Sequence, residues 1–212
     1  MPAKKKRYRI GVMGGTFNPI HYGHLVTAEE ALYQFKLDKV IFMPAGKPPH
    51  KRDSEILPPE ERYLLTVIAT ASNPDFVVSR LEIDRKGLTY TIDTLLELHQ
   101  IYGPRADLFF ITGADAVWEL LTWKDADKLL ELTEFIAATR PGYSLEKFKK
   151  LHVLPEGKAG EKLRPKVSIM EIPALAISST DIRQRVREGR PIRYLVPEGV
   201  ASYIYKCGFW KD

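Results

Sequence analysis

A chain of 212 residues with 44% apolar and 28% charged residues carries enough apolar surface to bury one core, which excludes a disordered polypeptide. No apolar run approaches the roughly 18 residues of a membrane span, and the single cysteine, Cys207, excludes an intrachain disulfide and a thiolate metal cluster. Lys4, Lys5, Lys6 and Arg7 supply most of the net charge of +5, so residues 1–7 read as a basic solvated tail and residues 8–212 as one near-neutral domain.

In chain order, residues 9–13 read as a strand ending at Gly14-Gly15, and residues 24–35 as a helix with Leu25, Ala28, Leu32 and Phe35 on one side. Residues 39–43 form a second strand stopped by Pro44. Residues 60–71 form a helix with Leu64, Leu65, Ile68 and Ala71 inward. A short strand at 76–79 precedes a helix at 91–101 carrying Leu95, Leu96 and Leu98. Residues 108–112 are continuously apolar, as in the buried middle of a parallel sheet. A helix at 126–132 and strands at 134–138 and 167–172 follow. A helix at 180–188 ends at Gly189, and an amphipathic helix at 200–206 closes the pattern. Residues 155–165, charged and glycine-containing, read as a loop.

Strands alternating with helices imply right-handed βαβ units and an α/β fold whose parallel sheet is flanked by helices. Ligands of such sheets bind beyond the strand C-termini, at a topological switch point. The loops after Met13, Met43, Ser79, Thr112, Ala138 and Ile172 are therefore the places to look. With one cysteine and no apolar stretch of signal-peptide length after the basic N-terminus, a cytoplasmic setting is expected, with neither nucleic acid nor membrane as a partner. The amphipathic faces leave a homo-oligomer open.

The first loop is the most informative: Gly14-Gly15-Thr16-Phe17-Asn18-Pro19-Ile20-His21-Tyr22-Gly23-His24. Paired glycines let backbone approach a ligand, and a helix start presents free N–H groups to phosphate. The run is neither a Walker loop nor a dinucleotide fingerprint. His21 and His24, three residues apart, share one face of the first turn. As metal ligands they would need a third ligand; as phosphate binders they donate N–H bonds to anionic oxygens. The glycines and the strand-to-helix setting favour phosphate. Near the C-terminus, Ile177-Ser178-Ser179-Thr180-Asp181-Ile182-Arg183 reads as a capped helix start forming a second anion site, with Arg183 one turn in.

HxGH after GGTF, with ISSTxxR near the C-terminus, resembles the nucleotidyltransferase superfamily with its Rossmann-like fold. Within it the chain is similar to the bacterial nicotinate mononucleotide adenylyltransferases. The segments Pro48-Pro49-His50-Lys51, Tyr90-Thr91-Ile92-Asp93-Thr94-Leu95, Gly113-Ala114-Asp115, Thr122-Trp123 and Arg140-Pro141-Gly142-Tyr143 agree in order. The likeness spans residues 10–205. Asn18 departs from it, standing where many members have aspartate, but it keeps the turn-forming and hydrogen-bonding capacity.

The resemblance implies attack of the 5′-phosphate of nicotinate mononucleotide on the α-phosphorus of ATP. It gives nicotinate adenine dinucleotide and pyrophosphate, a step in NAD biosynthesis. The attacking oxygen is already anionic, so the protein supplies positioning and charge neutralisation rather than a base. By that likeness His21, His24, Ser179 and Arg183 hold the ATP phosphates, with His21, His24 and Arg183 catalytic. Gly14, Gly15, Thr16, Phe17, Gly113, Asp115, Ile177 and Ser178 complete the ATP site. Asp115 is placed to accept from ribose hydroxyls or to cap the next short helix. Asn18, Lys47, His50, Thr91, Trp123, Lys124 and Arg140 receive the mononucleotide. Trp123 stacks on its pyridine ring, and backbone N–H groups near Thr91 and at Lys124 hold its carboxylate. Mg²⁺ is expected on the ATP phosphates, since no acidic cluster is dedicated to a metal.

Residues 44–59 hold five of the fifteen prolines, with Lys47, His50, Lys51 and Arg52, and read as a basic lid. Pantetheine-phosphate adenylyltransferases and cytidylyltransferases share HxGH but usually lack the Thr91, Trp123 and Arg140 set. A non-catalytic nucleotide-binding regulator is the rival of another class.

Overall fold

The computed structural model describes residues 7–49, 56–119, 122–139, 167–173 and 176–211. The apolar runs become six strands: β1 (Tyr8–Gly15), β2 (Lys39–Pro44), β3 (Phe76–Val78), β4 (Ala106–Gly113), β5 (Glu134–Thr139) and β6 (Val167–Glu171). They pair in parallel in the order β3-β2-β1-β4-β5-β6. Between them run α1 (Tyr22–Gln34), α2 (Pro59–Thr70), α3 (Thr91–Tyr102), α4 (Ala114–Glu119) and α5 (Ala126–Leu132), followed by α6 (Ser179–Arg187) and α7 (Glu198–Cys207).

Side chains on a strand alternate between faces, so a sheet covered on both faces needs apolar residues at every position. Val40, Phe42, Phe109 and Ile111 point to one face and join Ala28, Leu65, Ile182, Val186, Val200 and Ile204. Ile10, Val12, Ile41, Leu108 and Phe110 point to the other and join Ile92, Leu95, Leu98 and Leu129. Helices α1, α2, α6 and α7 therefore cover one face, and α3 and α5 the other. Each fully buried aliphatic or aromatic side chain contributes about 1.5–3 kcal/mol. Among the described residues no helix is long and apolar enough to cross a membrane.

The chain enters at β1 in the middle of the sheet, winds outward to β3, then returns to β4 beside β1 and winds out to β6. Connections leave β1 and β4 towards opposite edges, so a crevice opens above their C-terminal ends. Paired residues Val12 with Phe110 and Met13 with Ile111 bring Gly14 and Thr112 side by side at that crevice.

Every expected strand and helix is present, with ends shifted by at most two residues. Two inward assignments are corrected, Leu64 and Ala71. Leu64 and Leu96 are 38% and 42% exposed, while their neighbours Leu65 and Leu95 are buried. Adjacent residues on a helix lie about 100° apart, so only one leucine of each pair can face the sheet. In α2 the buried face runs through Arg62, Leu65, Thr66, Ala69 and Thr70, which leaves Ile68 half-buried and Ala71 exposed. Asp115 is the second residue of α4 rather than its cap.

Candidate active site

The first loop carries β1 into α1. His21 is the N-cap of α1, in extended conformation, and is 6% exposed. His24 sits three residues into the helix, and its Nδ1 accepts the backbone N–H of His21 at 3.2 Å. A nitrogen that accepts carries no proton, so this bond places the His24 ring hydrogen on Nε2, as a donor. The two imidazoles lie 3.8 Å apart between centroids, and the Phe17 ring meets His24 edge-on at 5.1 Å. Gly23 is required by this packing: a Cβ there would come within 2.9 Å of Nδ1 of His21.

The C-terminal motif opens α6 as its spacing predicts. Ser178 is the N-cap, and its Oγ accepts the Asp181 N–H at 3.1 Å. Ser179 Oγ donates to the carbonyl of Pro19 at 2.8 Å, and an Arg183 guanidinium nitrogen donates to the carbonyl of Asn18 at 3.0 Å. These bonds join two motifs about 160 residues apart in sequence. The starts of α1 and α6 thus converge, each presenting backbone N–H groups and the positive end of a helix dipole.

Two clefts open above the sheet. The first, about 520 Å³, is lined by His21, Gly23, His24, Thr27, Gly113, Asp115 and Ile177, among others. The second, about 370 Å³, is lined by Gly15, Thr16, Pro48, Pro49, Glu82, Tyr90, Thr91, Phe110, Trp123 and Lys124, among others. Gly14 and Thr112 belong to both. The clefts therefore meet at the switch point between β1 and β4.

Of the residues implied for ATP, Gly14, His21, His24, Gly113, Asp115 and Ile177 line the first cleft, while Gly15 and Thr16 line the second. Phe17 lines neither; at 2% exposure it packs in the core beneath His24. Of those implied for the mononucleotide, Thr91, Trp123 and Lys124 line the second cleft. Thr91 is the first residue of α3, where backbone N–H groups lack intrahelical partners. Trp123 is half-buried with its ring edge-on to Phe110 at 6.0 Å. Lys124 Nζ lies 3.3 Å from the Asp93 carboxylate and 4.7 Å over the Tyr90 ring. Asn18 lines neither cleft. It is 4% exposed, and its Oδ1 accepts the Leu57 N–H at 3.0 Å, pinning the first loop to the chain before α2. Lys47 is exposed, and its carbonyl accepts the Thr89 N–H at 3.0 Å. His50 and Arg140 lie outside the described residues, as do Lys51, Arg52 and residues 155–165.

Two buried charges escaped the sequence. Arg62, 1% exposed, donates to the carbonyls of Leu57 at 3.0 Å, Thr16 at 2.8 Å and Gly46 at 3.0 Å. It thereby ties the first loop to both ends of the proline-rich segment. Burial lowers its guanidinium to about 10, against the pull of Glu82. The segment packs tightly: a Cβ on Gly46 would collide with the Glu82 carbonyl. Glu82 is 8% exposed, and its Oε1 accepts Thr94 Oγ1 at 2.7 Å. Burial pushes its carboxyl above the usual range, against the bond from Thr94 and the charges of Arg85 and Arg62. The one sequence signal for Arg62 is its phase, three residues before Leu65 on the buried stripe of α2. Glu82 carries no such signal.

The fold and the paired helix starts define a nucleotide-handling α/β protein, and the chain belongs to the cytidylyltransferase-like family, whose model matches residues 12–185. Within that class its curated relatives are named "Probable nicotinate-nucleotide adenylyltransferase". One from Moorella thermoacetica is 56% identical over 205 residues, covering 96% of this chain and 92% of its own. Another, from Thermoanaerobacter sp., is 54% identical over 214 residues, covering 98% and 96%. A solved structure with the same fold is the Plasmodium falciparum nicotinic acid mononucleotide adenylyltransferase complexed with NaAD. It aligns with a TM-score of 0.77 at 19% identity, covering 96% of this chain and 98% of that one.

Proposed function

We propose that the chain is a nicotinate-nucleotide adenylyltransferase, transferring the adenylyl group of ATP to nicotinate mononucleotide with release of pyrophosphate. The observation that carries this reading is the meeting of two clefts at Gly14 and Thr112, beside the converging starts of α1 and α6. Two substrates bound one in each cleft can bring their phosphates together there.

ATP occupies the first cleft and the mononucleotide the second. The mononucleotide phosphate attacks the α-phosphorus in line and pyrophosphate leaves. The nucleophile is an anion, so no side chain needs to take a proton. What the chain contributes is donors and positive charge where negative charge builds. The His24 Nε2–H, the backbone N–H groups and positive dipole ends at the starts of α1 and α6, and the guanidinium of Arg183 fill that role. Asp115 accepts from a ribose hydroxyl. Mg²⁺ enters as part of the substrate, on the ATP phosphates. Among the described residues no cluster of His, Cys, Asp and Glu offers it a protein-held site.

In the second cleft, Trp123 supplies a stacking face, and the backbone N–H groups at Thr91 and Lys124 donate to the ring carboxylate of nicotinate. The test is to incubate the protein with ATP, Mg²⁺ and nicotinate mononucleotide and identify both products. Equal amounts of pyrophosphate and nicotinate adenine dinucleotide are expected. Pyrophosphate without dinucleotide, or neither, overturns the reading, and phosphopantetheine is then the next acceptor to try.

A further inference from the structure

The second cleft contains a group that carboxylate recognition, phosphate binding and ring stacking do not call for. Glu82 lines it, and most of the other residues lining the cleft are apolar or aromatic, among them Tyr90, Ile92, Phe110, Trp123 and Leu129, while the lining cation Lys124 is held by Asp93. A carboxylate in such a setting is costly unless a cation offsets it. The chain offers little that is direct. Thr94 gives a neutral hydrogen bond at 2.7 Å, and the Thr89 hydroxyl is a second neutral group beside it. Arg62 directs its three guanidinium nitrogens to backbone carbonyls, and Arg85 directs its own to Thr94 at 2.9 Å and Glu97 at 2.6 Å. Burial still dominates over both guanidinium charges.

An acceptor nucleotide whose ring is a pyridinium answers this imbalance. In a nicotinate nucleotide the ring nitrogen is bonded to ribose and carries a fixed positive charge at every pH. We propose that Glu82 is the counter-charge for that ring, making the second cleft selective for cationic-ring nucleotides. This rests on the acceptor assigned above. The division of labour is then simple. Glu82 and the face of Trp123 recognise the cationic ring, common to the nicotinate and nicotinamide forms. The backbone N–H groups at Thr91 and Lys124 tell the carboxylate from the amide. Thr94 holds the Glu82 carboxylate from the first turns of α3, so the residue that starts the carboxylate site and the one that fixes the counter-charge share one helix.

The experiment compares two acceptors of the same shape: nicotinate mononucleotide, and the C-riboside 5′-phosphate in which a 3-carboxyphenyl ring replaces the pyridinium. Each is measured for KM and kcat with ATP and Mg²⁺ on wild type, Glu82→Gln and Glu82→Asp. Wild type should prefer the charged ring in KM by roughly tenfold or more, the low end of the coupling measured for close charge pairs at interfaces. Glu82→Gln should lose most of this preference by raising KM for the charged ring alone, with kcat little changed, and Glu82→Asp should keep it. A preference undiminished in Glu82→Gln, or a rise in KM for both rings alike, overturns the proposal. So does a wild type that binds both rings equally, which needs no variant to fold. Failure of the activity itself is read separately: if wild type makes no dinucleotide, the acceptor assignment falls first.

Discussion

The two clefts that meet at Gly14 are built from different materials. The first is made largely of backbone: glycines at the C-terminal ends of β1 and β4, helix starts, and imidazoles fixed by a backbone bond. The second is made of side chains gathered from β1, the segment after β2, the loop before α3, α3 itself and the residues before α5, with a buried carboxylate among aromatic rings. A polyphosphate is the same for every nucleotide, and N–H groups at helix starts recognise it by charge and shape alone. An acceptor must be distinguished from its chemical neighbours, and that takes particular side chains in particular places. The first cleft is a general device and the second a specific one.

The comparison predicts that damage to the first cleft strikes turnover. His24→Ala removes the Nε2 donor and the acceptor for the His21 N–H. It should lower kcat about 10²–10³-fold, as loss of one preorganised donor does elsewhere. The thermal midpoint should stay close to wild type, and steady-state kinetics with circular dichroism read both. A fully active His24→Ala would remove the first loop from the phosphate site.

Arg62 links the two regions, so its loss should strike stability first. Arg62→Met strips three carbonyls of their donor and leaves Glu82 with one fewer cation. Breaking such a buried network costs about 3 kcal/mol, or roughly 10 °C in a domain of this size. Thermal denaturation measures it. A midpoint unchanged within error would mean that Arg62 does not hold the loops.

Damage to the second cleft should be confined to the acceptor. Trp123→Ala should raise KM for the mononucleotide about tenfold or more through lost stacking, with KM for ATP nearly unchanged. A rise in both would mean that the clefts are not separate.

These contrasts also mark what the sequence makes legible. The first cleft is written in contiguous runs, GGTFNPIHYGH and ISSTDIR, where glycines, a cap and paired histidines carry their own geometry. The strands are legible because continuous apolar runs fit only a sheet covered on both faces. The phase of α2 and α3 is not, because Leu64-Leu65 and Leu95-Leu96 satisfy a helical period equally well in either register. Arg62 reads as a surface arginine until Thr16, Gly46 and Leu57 are seen converging on it. Glu82 lies in a segment without regular structure, and only the fold brings it to Trp123. Phe17 stands in the first-loop motif, yet its ring belongs to the core beneath His24, a placement that the run of residues does not show.

A smaller effect follows from Glu82. Burial holds its carboxyl above the ordinary value, so between about 4.3 and that raised value the folded chain keeps a proton that the unfolded chain has lost. Stability should therefore fall as pH rises through this window. Glu82→Gln should flatten that part of the profile of melting temperature against pH. An identical slope in both proteins would place the titration elsewhere.

The most direct test of two clefts with separate tasks is the rate of pyrophosphate release from ATP and Mg²⁺ with nicotinate mononucleotide, set against the rate with nicotinamide mononucleotide. The same first cleft serves both reactions, so any difference belongs to the second. Rapid release with nicotinate and far slower release with nicotinamide is the expected result. Equal rates would keep the reaction but contradict carboxylate recognition at Thr91 and Lys124, and no release with either would contradict the acceptor altogether.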